Sequence, residues 1–162
     1  MTKVKECILV ERGTEPLKGV WWFPGGRMFK GETFFDAAVR KIREEVGIKI
    51  PYNNSYDVEG KKGLHEGENV ILQVLGVYNT FFPTSAWDTD TQKGTQTINA
   101  VVLIELPSPE VNDDKYTVKL DQTSEQFKWI SVDPVEAEKN GENIYTLINL
   151  RRLSKWRKNK TT

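Results

Sequence analysis

Residues 22–48 read WFPGGRMFKGETFFDAAVRKIREEVGI, and the pattern of this stretch decides the fold. A strand end and a glycine turn lead into one amphipathic helix. Phe35, Ala38, Val39, Ile42 and Val46 share one face of a 3.6-residue period. Thr33 is placed to cap the helix, with Asp36 three residues later in capping-box position. Gly47 suits a left-handed stop at the other end. The opposite, polar face holds Arg40, Lys41, Arg43, Glu44 and Glu45.

Lys41 lies three residues before Glu44 and four before Glu45, so the three side chains share a face. With backbone carbonyls of the Gly25–Gly26 turn nearby, the adjacent carboxylates are suited to an all-oxygen site for a hard cation such as Mg²⁺. Magnesium keeps several waters and bridges to phosphates, which points toward phosphoryl chemistry. The ordinary alternative is a solvated helix face with surface ion pairs.

The spacing resembles the Nudix box: a glycine, five residues, a glutamate, seven residues, then Arg-Glu-aliphatic-x-Glu-Glu-x-Gly-aliphatic. The matching positions are Gly26, Glu32, Arg40, Ile42, Glu44, Glu45, Gly47 and Ile48. One position departs, since Lys41 stands where the family usually has glutamate. The resemblance implies an α/β fold, an α/β/α sandwich around a mixed β-sheet.

A chain of 162 residues fits one domain with a substantial core, spanning 1–162. Its 23 basic and 23 acidic residues balance, which argues against a nucleic acid or an acidic membrane as partner. Cys7 is alone, so an internal disulfide and a cysteine-based zinc cluster are excluded; a small buried thiol is expected there rather than a nucleophile. No apolar run has transmembrane length, and MTKVKECILV has too short an apolar centre for a signal peptide. A reducing, cytoplasmic address is the default expectation.

Along the chain, strands are expected at 6–12, 20–23, 70–82 and 95–106, with a short one around Trp129. The family places a further strand ahead of the first, and none is legible in this sequence. Trp21 and Trp22 point to opposite faces, one toward the core and the other able to stack on a base, with burial in the strand as the ordinary use of either. A polar stretch at about 53–69 reads as an insertion and carries His65, a solvated loop residue or a proton shuttle. The connection after 82 exposes Trp87. A helix is expected from about Asn143 to Trp156, packed through Ile144, Leu147, Ile148, Leu150 and Leu153. Its basic end, RRLSKWRKNK, reads as a solvated terminus, with phosphate contact as the alternative.

The resemblance implies hydrolysis of a nucleoside diphosphate linked to another moiety, with Mg²⁺ or Mn²⁺ on Glu44, Glu45 and the carbonyl of Gly25. Arg40 would orient a carboxylate, and Glu32 would support the same network or simply favour the helix N-terminus. A protonated lysine cannot coordinate magnesium, so Lys41 is expected to contact a phosphate oxygen, and the site to hold fewer metal ions.

WFPGGR, the spacing from Arg12 to Gly19 and Trp22, GVYNTFF, VVL and Phe127-Lys128-Trp129 are similar to one branch, the GDP-mannose mannosyl hydrolases. Its two substrate-contacting arginines correspond to Arg12 and Arg27, suited to a diphosphate. That branch cleaves a sugar carbon–oxygen bond with a histidine base, a position held here by Ser124; a glutamine ligand is replaced by Thr123 and a tyrosine by Ala100. Serine alone is no general base at neutral pH. Glu125 is the candidate base in that loop, with an exposed loop acid as the alternative and Asp121 in reserve. These features favour attack at phosphorus in a nucleotide-sugar hydrolase with a small-molecule nucleotide substrate. The alternatives are a nucleoside triphosphate or dinucleotide pyrophosphatase and a nucleotide-binding regulatory protein with a degenerate site. The branch leaves a homodimer open.

Overall fold

Alternation along the first strand sets the architecture, which comes from a computed structural model that describes residues 5–50, 70–84, 94–106 and 116–160. Strand β1 (Glu6–Arg12) turns Cys7 and Leu9 to one face and Ile8 and Val10 to the other. Leu9 packs with Ile130, Ala137, Leu147 and Leu150, and Trp21 and Phe23 join that cluster. Val10 packs with Val46 and Ile48, joined by Ile42, Leu120 and Trp129. One sheet thus has a core on each side, the period-2 consequence of apolar residues at successive strand positions.

The helices cover those two faces. Helix α1 (Phe34–Val46) lies on the Val10 side through Ile42 and Val46. Helices α2 (Pro134–Lys139) and α3 (Ile144–Lys160) lie on the Leu9 side through Ala137, Leu147 and Leu150. The result is the α/β/α sandwich expected from the sequence.

In the three-stranded sheet, β1 sits between β2 (Trp21–Trp22) and β5 (Ser124–Ser131), antiparallel to both. Ladder partners include Val10 with Trp22 and Arg12 with Ser124, the latter beyond an irregularity between Val10 and Arg12. A second sheet pairs β3 (Ile71–Phe82) with β4 (Thr95–Glu105), antiparallel and shifted between Val74 and Gly76. No parallel ladder appears among the described residues. Tyr78 on β3 donates its hydroxyl to Asn149 Oδ1 on α3 at 2.7 Å, which joins this sheet to the last helix.

Both ends of α1 follow the sequence. Thr33 accepts from the Asp36 backbone N–H, while Asp36 Oδ2 accepts from the Thr33 N–H at 2.8 Å. Gly47 takes φ +74°, the left-handed conformation that ends a helix. Helix α2 was not expected, although Asp133 before Pro134 carries its signal: the aspartate caps the Val135 N–H at 2.8 Å and proline occupies the first turn. Helix α3 begins one residue later than expected and runs four further. Asn143 caps it through the Thr146 N–H at 3.0 Å and also donates to the Trp21 carbonyl, tying β2 to the helix.

The expected packing of α3 holds for Leu147, Leu150 and Leu153, whereas Ile144 is exposed. Its basic end is partly engaged: Arg157 lies 3.3 Å from Glu105 on β4, which Lys5 also contacts. Cys7 is a packing residue as expected, its thiol pushed up to about 12 by burial and, to a lesser extent, by Glu142. Trp21 lies in the core beneath the Lys128 ammonium, while Trp22 packs against Phe82 and Tyr145. His65, Trp87 and the stretch at 53–69 lie outside the described residues. No helix among the described residues is long and apolar enough to cross a membrane.

Candidate active site

Arg40 fastens the glycine loop to α1. Its guanidinium grips Glu32 with two prongs, Nε to Oε1 at 2.5 Å and a terminal nitrogen to Oε2 at 2.8 Å. It also reaches Glu44 Oε2 at 3.1 Å and the Arg27 backbone carbonyl at 2.8 Å, with its Cζ 4.0 Å from the Phe29 ring centroid. Glu32 Oε2 in turn accepts from the Phe29 N–H at 2.7 Å. A planar fork is the side chain that satisfies carboxylate, carbonyl and ring together. The Arg40 hydrogen bond holds the Glu32 carboxyl below its ordinary value, and the Phe29 N–H adds to this.

Glu45 corrects the simple picture of a polar helix face. It is only 6% exposed. Oε2 accepts from the Gly25 N–H at 2.9 Å, and Oε1 lies 2.7 Å from Lys41 Nζ. The lysine also lies 3.4 Å from Glu44 Oε2, on a carboxylate that stays 41% exposed. Burial opposes the Lys41 charge, but the two glutamates outweigh it and hold its pKa above the ordinary value. The lysine stem crosses the glycine turn so closely that a Cβ at Gly26 would lie 2.6 Å from Lys41 Cε. A side chain at Gly26 would therefore displace Lys41.

The opposite wall comes from the end of β1 and the start of β5. The Gly13 N–H donates to the Thr123 carbonyl at 2.9 Å, and a Cβ on Gly13 would lie 3.6 Å from Glu125 Cγ. Arg12 donates through Nε to the Pro16 carbonyl at 2.8 Å. Burial lowers the pKa of this guanidinium, against the opposing fields of Glu45 and Glu15. Asp121 Oδ1 accepts from the Thr123 N–H and hydroxyl at 2.9 and 2.7 Å, so it shapes its own turn. The Asp121 N–H donates to the Glu45 carbonyl at 3.2 Å, and that of Lys119 to the Val46 carbonyl at 2.9 Å. These bonds dock the segment before β5 onto the last turn of α1.

Gly25, Arg40, Lys41, Glu44 and Glu45 are thus gathered in one network, and Arg27 joins it through its backbone. Glu125 is exposed on the far wall. Ser124 stands opposite Arg12 in the ladder, and Ala100 pairs with Val77 in the second sheet. Sequence reading missed Phe29 beneath Arg40 and the close passage of Lys41 over Gly26. An aromatic three residues before Glu32 carries no spacing signal of its own.

The donor set suits a hard cation. Glu45 is a buried carboxylate anchored by a backbone N–H and already holding a cationic group, and Glu44 is the adjacent carboxylate. No group of three or more histidine, cysteine, aspartate or glutamate side chains gathers among the described residues. A divalent ion here would therefore rely on two carboxylates, backbone oxygen and water.

Known proteins share this framework. The chain is 35% identical over 77 residues to the low-salt glycan biosynthesis protein Agl8 of Haloferax volcanii, covering 48% of this chain and 46% of that one. It is 41% identical over 46 residues to an ADP-ribose pyrophosphatase of Methanocaldococcus jannaschii, covering 28% and 27%. The aligned stretches span less than half of either relative. Among solved structures, the NUDIX domain of Shewanella oneidensis NrtR complexed with ADP ribose superposes with a TM-score of 0.60, at 14% identity, over 96% of this chain and 79% of that one. A C. elegans Ap4A hydrolase gives 0.57 at 20% identity, over 93% and 85%. At such identities the likeness speaks for the fold. The NUDIX domain family model matches residues 1–149, a span that holds the glycine loop, α1 and the opposing wall, and the chain belongs to the Nudix family.

Proposed function

We propose that this chain is a divalent-metal-dependent hydrolase of nucleoside diphosphates linked to a second moiety, with nucleotide sugars of the GDP-mannose kind as the leading substrate class. The observation that carries this reading is the pair Glu44 and Glu45, set beside the Gly25–Gly26 turn and braced through Arg40. Glu44, Glu45 and the Gly25 carbonyl are the groups assigned to Mg²⁺ or Mn²⁺. Bound there, the ion would neutralise diphosphate charge and lower the pKa of a ligated water.

The chain's own residues supply the rest. Arg12 and Arg27 are assigned to the diphosphate oxygens, where guanidinium forks fit best. Arg40 keeps the loop and Glu44 aligned. Glu125 is assigned as general base, taking a proton from the water that attacks phosphorus. The bridging P–O bond breaks, and one phosphorus-bearing fragment leaves as a phosphate. Ser124 in the place of the branch's histidine supports attack at phosphorus over attack at the sugar carbon.

A second reading rests on a different observation: relatives and fold neighbours carry names tied to ADP-ribose and Ap4A, so a dinucleotide or ADP-ribose pyrophosphatase is the alternative. Phosphorus NMR in oxygen-18 water, with Mg²⁺ and a panel of GDP-mannose, other nucleotide sugars, ADP-ribose, Ap4A and nucleoside triphosphates, separates them. Label on a phosphate product from a nucleotide sugar supports the leading reading. Label on the sugar overturns attack at phosphorus, and turnover of ADP-ribose or Ap4A alone selects the second. Binding without turnover of any substrate overturns the hydrolase reading.

A further inference from the structure

We infer that Lys41 is a tethered cation that competes with the divalent ion for Glu45. This rests on the metal-dependent reading above and deepens it. Lys41 Nζ sits 2.7 Å from Glu45 Oε1 and 3.4 Å from Glu44 Oε2, between the two carboxylates assigned to the ion. The other oxygen of Glu45 is held by the Gly25 N–H, so the chain itself engages both oxygens. The lysine is not a stray surface group, because its stem is seated over Gly26, where only a hydrogen leaves room for it. Its side chain is 18% exposed.

An ammonium and a divalent ion cannot share one carboxylate edge without strong mutual repulsion at this separation. The ion therefore gains Glu45 only as the ammonium leaves. A phosphate oxygen of the substrate offers the displaced ammonium a new anionic partner, and the four-carbon stem lets it turn without moving the helix. In the absence of substrate the ammonium keeps the pair closed, and the metal affinity of the free protein is low.

Mn²⁺ alone, titrated by calorimetry and by electron paramagnetic resonance without nucleotide, tests this. Wild type is compared with Lys41→Met and Lys41→Gln, two neutral replacements, and with Lys155→Met, which removes the same charge from the exposed face of α3. Both Lys41 variants are expected to bind Mn²⁺ at least about tenfold more tightly than wild type, with Lys155→Met unchanged. Equal affinity in all four proteins would overturn the competition while leaving the metal-dependent function standing. Equal tightening in Lys155→Met would also overturn it, as an effect of net charge. Failure of all four to bind Mn²⁺ would overturn both the competition and the function on which it rests.

Discussion

Arg40 on α1 and Glu32 in the preceding loop form a two-pronged ion pair that clamps the glycine loop against the helix. Both side chains are mostly buried, at 13% and 17% exposure, which limits competition from water. Glu32→Gln keeps the size and loses the charge. It is expected to loosen residues 25–32, seen as faster amide exchange and proteolysis there, and to lower kcat/KM by roughly 10- to 100-fold through misplacement of Glu44. The pH dependence follows from the depressed Glu32 pKa. Its contribution to stability is present above the ordinary carboxylate value and is lost as pH falls through the lower folded value. Wild-type loop protection is therefore expected to fade on acidification in that window, and the variant to lack that transition.

Glu45 has a structural task as well as the assigned ligand role. Glu45→Gln would place an amide nitrogen or a neutral oxygen against Lys41 and the Gly25 N–H. A loss of about 1–2 kcal/mol in urea denaturation is expected, the lower part of the range for charged hydrogen bonds because Lys41 can swing to water. Glu44→Gln, on a more exposed carboxylate, is expected to leave stability nearly unchanged. Both substitutions should reduce kcat by roughly 10²-fold or more, so stability and activity separate the two positions.

Gly47 sits where helix, turn and second wall meet. Its φ of +74° disfavours any side chain, and a Cβ there would approach Lys119 Cβ at 3.0 Å and the Lys119 backbone oxygen at 3.2 Å. The neighbouring Val46 carbonyl holds the Lys119 N–H. Gly47→Ala is expected to cost about 1–3 kcal/mol, with a matching fall in Tm. It should also raise KM, because the segment running from Lys119 to Glu125 shifts. Thr33→Ala, at the opposite end of the same helix, is expected to cost about 1 kcal/mol through the lost cap and to leave KM unchanged.

The legible part of this molecule was local. Thr33, Asp36 and Gly47 gave α1 its ends because caps depend on near neighbours. The apolar period of α1 and the strand runs gave the elements for the same reason, and the resemblance to the Nudix box gave their sandwich arrangement. Contacts between distant residues were less legible. No spacing rule places the Lys41 stem over Gly26, or turns Glu45 inward while Glu44 stays exposed, since both depend on how the loop folds back onto the helix. Helix α2 was missed because six residues give too short a period to read, although Asp133-Pro134 marks its start.

Glu125 stands on the second wall, beside Arg12, which is assigned to the diphosphate. It follows Ser124, the ladder partner of Arg12, and its Cγ approaches the Gly13 backbone. As the assigned base it would act on a water lying between the wall and Glu44. Glu125→Gln is expected to lower kcat by roughly 10²- to 10⁴-fold with little change in KM. Asp121→Asn behaves differently if Glu125 is the base. Asp121 holds the Thr123 turn, so its loss should disturb kcat and KM together. Full activity in Glu125→Gln, with kcat lost at unchanged KM in Asp121→Asn, would reassign the base to Asp121. The backbone bond from Asp121 to the Glu45 carbonyl would then be what brings that base to the helix carrying Glu44 and Glu45.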